Sequence, residues 1–245
     1  MNKLIIIKGK QVLKVLTTQA EIIVRYDFDE RGKIDSGADY YICAVDPMKP
    51  EQSKELLDTG FVFHDRRIVM ERVLKNERHI ANQGDIVIKK DSIDHMVYEV
   101  AYLVFTKDRR FHLLPMHDQK RAIPVIKAYI DECVKQNMMA YKAFHDDELL
   151  GFAIVLGKGE RENISHNAIR GGIVENFLGA VKPGIKGKIT ANILYSSMLN
   201  GESDSFHKYV GKVSSENVAS LNLHYGLGAK AVSVYDLYIK RIKRI

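Results

Sequence analysis

Only two cysteines occur in the 245 residues, Cys43 and Cys133, far apart and in no metal-like spacing. That excludes a disulfide scaffold and a zinc ribbon, and it points to a reducing compartment. Glycine and proline number 17 and 5, and no long biased tract is present. With 28% charged residues, this excludes disordered and fibrous classes. Long apolar runs are missing too. The start, MNKLIIIKGK, has four consecutive apolar residues before Lys8, and no segment approaches the ~18 that a spanning helix needs. The chain therefore reads as soluble and cytosolic. Charge of one sign is in mild excess only, 37 Lys+Arg against 31 Asp+Glu for a net +6. Such a balance suits an anionic small molecule, a nucleic acid or an acidic surface, and decides nothing alone. What is plentiful is apolar content, 46%, in a length that fits one large or two modest domains of roughly 100–200 residues.

Two blocks are expected, with a domain edge between about residues 75 and 95, where Lys75 to Gln83 is polar and Gly84 opens a strand-like run. In the second block, Val97 to Phe105 reads as an apolar strand. A helix opening at Asp118 has Ala122, Val125, Ile126, Tyr129, Ile130 and Cys133 on one face. Ala140–Phe144 and Leu149–Leu156 flank the polar tip 145–148 as a hairpin. After a Gly- and charge-rich loop, Ile173 to Val181 is a strand stopped by Lys182-Pro183-Gly184. A helix with Ile189, Ile193, Leu194 and Met198, a strand Tyr209–Val213, a helix from about Ser215 and a strand Ala229–Ile239 follow. This order predicts a mixed α/β (α+β) sandwich rather than a regular doubly wound fold. The first block carries an echo of the end of the second. Leu57-Asp58-Thr59-Gly60-Phe61, followed by Arg67 to Leu74, parallels Tyr225-Gly226-Leu227-Gly228-Ala229, followed by Tyr235 to Ile242. In each, a helix ends on a Gly suited to a left-handed cap and a strand follows. Chance resemblance and decayed duplication both produce such an echo.

The junction Val181 to Ala191 carries the clearest chemical signal. A strand stops, a basic Gly-containing turn follows, and a helix begins near Gly187 or Lys188. A helix N-terminus presents unpaired N–H groups and the positive end of the macrodipole, and Lys182, Lys186 and Lys188 add charge at the same mouth. A phosphate or pyrophosphate fits there; the plainer alternative is an ordinary turn with solvated lysines. In the second segment, Val213 to Gly228, Ser214 or Ser215 is the expected N-cap and Asn217 falls in the first turn. Other constellations are poor. His112 and His117 are five apart without a third ligand, neither cysteine has a His at useful spacing, and no metal is expected. The basic end (Lys240, Arg241, Lys243, Arg244) lacks the interleaved aromatics of a nucleic-acid surface.

Together these segments resemble the GNAT family of acetyl-CoA-dependent N-acyltransferases. That family writes Val-x-Pro and then Arg/Gln-x-x-Gly-x-Gly/Ala; here stand Val181, Pro183 and Lys186-Gly187-Lys188-Ile189-Thr190-Ala191. After the next strand it writes Asn, a small residue three on, Leu-Tyr and Leu-Gly-Phe; here stand Asn217, Ser220, Leu223-His224 and Leu227-Gly228-Ala229. Within the family the chain looks most like dTDP-fucosamine acetyltransferase-like proteins, whose Arg-Phe pair after the first strand matches Arg110-Phe111 in KDRRFHLL. The resemblance covers residues 96–245 as a GNAT domain, with residues 1–90 as a degenerate GNAT-like half. It departs from the family at Ile189, which replaces a Gly, at His224, which replaces a Tyr (with Tyr225 one place on), and at Ala229, which replaces a Phe.

The resemblance implies a GNAT fold with two central strands splayed around the pantetheine arm of acetyl-CoA. It places the diphosphate on the amides of Gly187, Ile189, Thr190 and Ala191 beside Lys186 and Lys188. Asn217 then bonds the pantetheine, and a backbone N–H near Ala180 or Val181 stabilises the oxyanion. Glu175 is the expected general base, and His224, or else Tyr225, the acid for the leaving thiolate. Arg110 and Phe111 cover the acceptor, a small primary amine such as an amino-sugar nucleotide. The alternatives are a catalytically weakened GNAT scaffold that binds an acyl-CoA or a partner, and a peptide or protein N-acetyltransferase. No membrane or nucleic-acid partner is expected, and a homodimer is left open.

Overall fold

A computed structural model describes residues 15–16, 22–25, 40–74, 85–106, 119–156, 172–184, 187–203 and 205–241. Its strands are β1 (Val15–Leu16), β2 (Ile22–Arg25), β3 (Tyr40–Val45), β4 (Val62–Val73), β5 (Val87–Ser92), β6 (Met139–His145), β7 (Glu148–Val155), β8 (Ile173–Val181), β9 (Lys208–Ser214) and β10 (Lys230–Arg241). Its helices are α1 (Pro50–Asp58), α2 (His95–Phe105), α3 (Gln119–Lys135), α4 (Gly187–Ser203) and α5 (Val218–Gly226). The strands form one mixed sheet in the order β1-β2-β3-β10-β4-β9-β8-β7-β6-β5. β2–β3 and β8–β9 are parallel pairs, and the other neighbours are antiparallel.

Alternation along β7 sorts the core into two layers. Phe152 and Ile154 pack with α2 and α3, whereas Ala153 and Val155 pack with α4. One expectation is corrected here: Val97–Phe105 lies in α2, not in a strand. Asp94 caps that helix by accepting from the Met96 N–H at 3.1 Å, and Val97, Val100, Ala101 and Phe105 are buried at three-to-four spacing. A short apolar run does not by itself separate a strand from a buried helix, and the cap decides it.

The two blocks interlock. β4, from the first block, lies between β9 and β10 of the second, and β10 lies between β3 and β4. The strand–helix–strand β3-α1-β4 matches β9-α5-β10 at one constant interval, Tyr40 with Lys208, Pro50 with Val218 and Val62 with Lys230. The caps match as well. Gly60 (φ 87°) and Gly228 (φ 79°) take the left-handed conformation that suits glycine. The next amides, Phe61 and Ala229, each donate at 2.9 Å to a carbonyl five residues back, Leu56 and His224. The central β4–β10 register obeys the same exchange. Val62 pairs with Ile239 as Glu71 pairs with Lys230, Arg66 with Asp236 as Ile68 with Val234, and Arg67–Tyr235 falls on the pseudo-two-fold axis. The outer pairs agree, Val45–Asp236 with Val213–Ile68.

Candidate functional site

The site is a fork in the sheet. β8 and β9 pair only from Ile173–Lys208 to Asn176–Gly211; beyond that point β9 follows β4 and β8 follows β7. A bulge opens the fork. Between Ile154 and Val155 of β7 the β8 partner steps from Leu178 to Asn176, leaving Phe177 as the extra residue. Past the bulge, Lys182 N–H donates to the Leu150 carbonyl at 2.7 Å, so Lys182, Ala180 and Leu178 direct their backbone groups at β7. By antiparallel alternation, the N–H and C=O of Gly179 and Val181 point the other way, into the fork. Of the two residues expected to present an N–H there, Val181 does so, and Ala180 spends its amide on β7.

A cleft of about 980 Å³ fills the fork and reaches both faces of the sheet. On one face it meets α4 and α5, through Lys188, Tyr195, Asn217 and His224; on the other it meets Phe105, Phe177 and Lys212. Two glycines make the approach possible. A Cβ on Gly179 would lie 2.2 Å from the Tyr195 hydroxyl, and one on Gly211 would lie 2.8 Å from His224 Nε2.

The α4 N-terminus stands at the open end. β8 stops at Val181 and α4 begins at Gly187, as the Pro183 and Gly184 signals indicate. Gly187 N–H is taken by the Gly184 carbonyl at 3.0 Å. By the i→i−4 rule Ala191 is already inside the helical ladder, which leaves the Lys188 and Ile189 amides as the orphan donors among the described first-turn residues. Thus Gly187 and Ala191, expected as anion-binding amides, have their N–H groups spent within the protein. The Ile189 side chain is 57% exposed and turned away from the cleft. Thr190 is buried, and its Oγ1 has no hydrogen-bond partner among the described residues. Lys188 lines the cleft; Lys182 lines it too while bonding Glu148 at 2.6 Å, an ion pair that holds the Glu148 carboxyl below its usual range. Lys186, Arg110 and Phe111 lie outside the described residues.

Asn217, rather than Ser214 or Ser215, is the N-cap of α5. Its Oδ1 accepts from Ser220 N–H at 3.0 Å, and the residue lines the cleft. His224 is 2% exposed, with both ring nitrogens engaged. Nδ1–H donates to the Ser220 carbonyl at 2.7 Å, so Nε2 accepts from the Tyr209 hydroxyl at 2.9 Å. Burial depresses the His224 pKa and pushes the Tyr209 phenol well up, which keeps this pair neutral. His224 therefore presents no N–H to the cleft, and the acid role expected of it is not what the geometry offers. Tyr225, one position on, is 51% exposed and lies outside the cleft lining, as a step of about 100° around a helix requires.

Three partners at the fork apex carried no sequence signal. Asn176 Nδ2 donates to the Tyr195 hydroxyl at 3.0 Å, while the buried Asn176 Oδ1 has no hydrogen-bond partner among the described residues. Tyr195 and Tyr209 both pack on the His224 ring, at 5.6 and 5.9 Å between centroids. The glycines inside strands, Gly179 and Gly211, were the available clue to a close approach. On the opposite face, Glu175 is 13% exposed and bonds the Lys212 ammonium at 2.7 Å; Lys212 lines the cleft and is 43% exposed. Among the described residues, no group of three or more His, Cys, Asp or Glu could hold a metal ion, and no helix is long and apolar enough to cross a membrane.

No family model and no curated protein sequence matches the chain. Solved structures do. A GCN5-related N-acetyltransferase from Sphaerobacter thermophilus is 11% identical, with TM-score 0.58, over 96% of this chain and 76% of its own. The tandem GNAT protein from the clavulanic acid biosynthesis pathway is 12% identical, with TM-score 0.55, over 91% and 76%. A functionally unknown conserved protein from Staphylococcus epidermidis is 10% identical, with TM-score 0.57, over 99% and 94%. The chain thus has the GNAT fold, a mixed sheet split between two parallel strands and flanked by helices.

Proposed function

We propose that the protein transfers an acyl group, acetyl in the simplest case, from a CoA thioester to a primary amine. The observation that carries this reading is the fork itself. Backbone groups of Gly179 and Val181, without a strand partner among the described residues, face a through-sheet cleft that ends on the α4 N-terminus. Such a row of backbone donors and acceptors suits an extended, amide-bearing ligand that adds to the sheet edge like a strand. The orphan amides of Lys188 and Ile189 and the Lys188 ammonium suit its diphosphate, and Asn217 and Asn176 Oδ1 supply further polar contacts.

Acetyl-CoA supplies the activated carbonyl; the rest is done by this chain. Gly179 N–H, the cleft-facing donor nearer the apex, stabilises the oxyanion. Glu175 takes the amine proton as the nitrogen attacks the carbonyl and the C–S bond breaks. The expelled thiolate has an ordinary pKa of about 8.5 and takes a proton from water, so α5 need not supply an acid. The acceptor remains a small amine; the finer expectation of an amino-sugar nucleotide rested on Arg110 and Phe111, which lie outside the described residues.

The first block is proposed to be a degenerate copy without a cofactor site. The Asn217, His224 and Tyr225 positions are occupied there by Lys49, Leu56 and Leu57, and α1 has no side-chain cap. Between Arg25 and Tyr40 the 26–39 segment is shorter than the 17-residue α4 alone. A second reading, a CoA-binding scaffold without turnover, draws on the engaged His224 and the outward Tyr225. Thiol release from acetyl-CoA over a panel of primary amines separates them. Turnover supports the enzyme, whereas thermal stabilisation by acetyl-CoA without thiol release supports the scaffold. At one hundred times Kd the stabilisation should reach about 2.7 kcal/mol, and its absence removes both readings.

A further inference from the structure

On the face of the sheet away from α4 and α5, one strip of polar side chains crosses three strands and both blocks. Pairing places Glu175 opposite Val210, Lys212 opposite Val69 and Ser214 opposite Arg67. Directly opposed residues share a face, so Glu175, Lys212, Ser214 and Arg67 all project to the same side. Asp65, two residues from Arg67, joins them. Its Oδ1 accepts from Ser214 Oγ at 2.7 Å, and its Oδ2 lies 2.6 Å from Arg67 Nε. Lys212 and Arg67 are diagonal neighbours across the β9–β4 pair, a separation that long side chains bridge. The strip adjoins the cleft at Lys212.

The strip carries a carboxylate at each end, Glu175 and Asp65, and the cations Lys212 and Arg67 between them, and its two carboxylates are not equivalent. Asp65 is buried and held from both sides, by Ser214 and Arg67. Glu175 is bonded by Lys212 alone among the contacts described, and Lys212 is a half-exposed ammonium with three donors. A ligand anion can therefore draw Lys212 toward itself with little desolvation, leaving Glu175 to a ligand ammonium. We infer that the acceptor is an amine carrying its own carboxylate or phosphate, with the amine at Glu175 and the anion between Lys212 of the second block and Arg67 of the first. This rests on the acyltransferase reading and deepens it. It also gives the first block a role, because β4 then completes the acceptor site.

The inference is tested by calorimetric titration of the CoA-saturated full chain with matched amines, glucosamine 6-phosphate against glucosamine and aspartate against its diamide. The anionic member of at least one pair is expected to bind tenfold or more tightly. That preference should be lost in Lys212→Met, kept in Lys212→Arg and weakened by added salt. Equal binding of both members of each pair, a preference that survives Lys212→Met, or no binding of either anionic amine overturns it. Acetyl-CoA affinity is measured on the same samples; its absence in the wild type would instead remove the acyltransferase reading.

Discussion

Gly179→Ala tests the fork where it is tightest. The added Cβ would lie 2.2 Å from the Tyr195 hydroxyl, short of ordinary van der Waals contact by about 1 Å. Tyr195 is buried between β8 and the His224 ring, so its ring has to tilt. Overpacking of this kind costs about 1–3 kcal/mol, and the tilt also breaks the 3.0 Å bond from Asn176 Nδ2, about 1 kcal/mol more. Against this, Gly→Ala stiffens the unfolded chain and returns about 0.4–1 kcal/mol. The net expectation is a loss of about 1–3 kcal/mol by urea denaturation, with weakened acetyl-CoA binding. Tyr195→Phe alone removes the hydrogen bond from Asn176 Nδ2, for about 1 kcal/mol. In the double variant the clashing oxygen is gone, and the next atom, Cζ, lies at 3.3 Å. The double variant should therefore be nearly as stable as Tyr195→Phe alone, a coupling of about 1 kcal/mol or more. Costs that add within about 0.5 kcal/mol would refute the proposed contact.

Glu175→Gln should lower kcat by about 10²-fold or more while leaving acetyl-CoA affinity intact; normal turnover would move the base elsewhere. His224→Phe should cost about 1–3 kcal/mol, because Tyr209 O–H and the Ser220 carbonyl lose their partner. The wild-type protein buries His224 with its pKa lowered, so below about pH 6.5 the unfolded chain binds the extra proton and stability falls with falling pH, by at most about 1.4 kcal/mol per unit. The variant lacks that slope, and the stability gap should narrow between about pH 7 and pH 5; a constant gap would show that His224 is not held neutral.

Much of this architecture was legible from short-range pattern. β8 stops where Lys182-Pro183-Gly184 ends it, the 145–148 tip turns a hairpin, and Gly60 and Gly228 take the left-handed caps that their helix ends require. Local pattern failed at α2, because a dense apolar run of strand length packs equally well as a buried helix, and only Asp94 distinguished them. It could not show β4 entering between β9 and β10, because register between distant strands leaves no periodic trace. The site divides in the same way. The strand–turn–helix and the Asn217 position follow from adjacent residues. The contacts among Asn176, Tyr195, Tyr209 and His224 join separate elements, and the Glu175–Lys212–Ser214–Arg67 strip joins three strands. Adjacency also misled at α5, where a His in the place of a Tyr suggested an acid but is folded inward onto Tyr209.

The most direct test of the central claim is a calorimetric titration of acetyl-CoA into the wild-type chain and into Ile189→Pro, with Ile189→Ala as control. Ile189 is exposed in the first turn of α4, where a proline removes an orphan N–H at small cost to the helix. One charge-assisted hydrogen bond is worth about 1.5–3 kcal/mol, roughly a 10- to 150-fold change in Kd. A single site per chain is expected, weakened by that factor in Ile189→Pro and unaltered in Ile189→Ala. Absence of binding, two sites per chain, or equal affinity of the proline variant would contradict it.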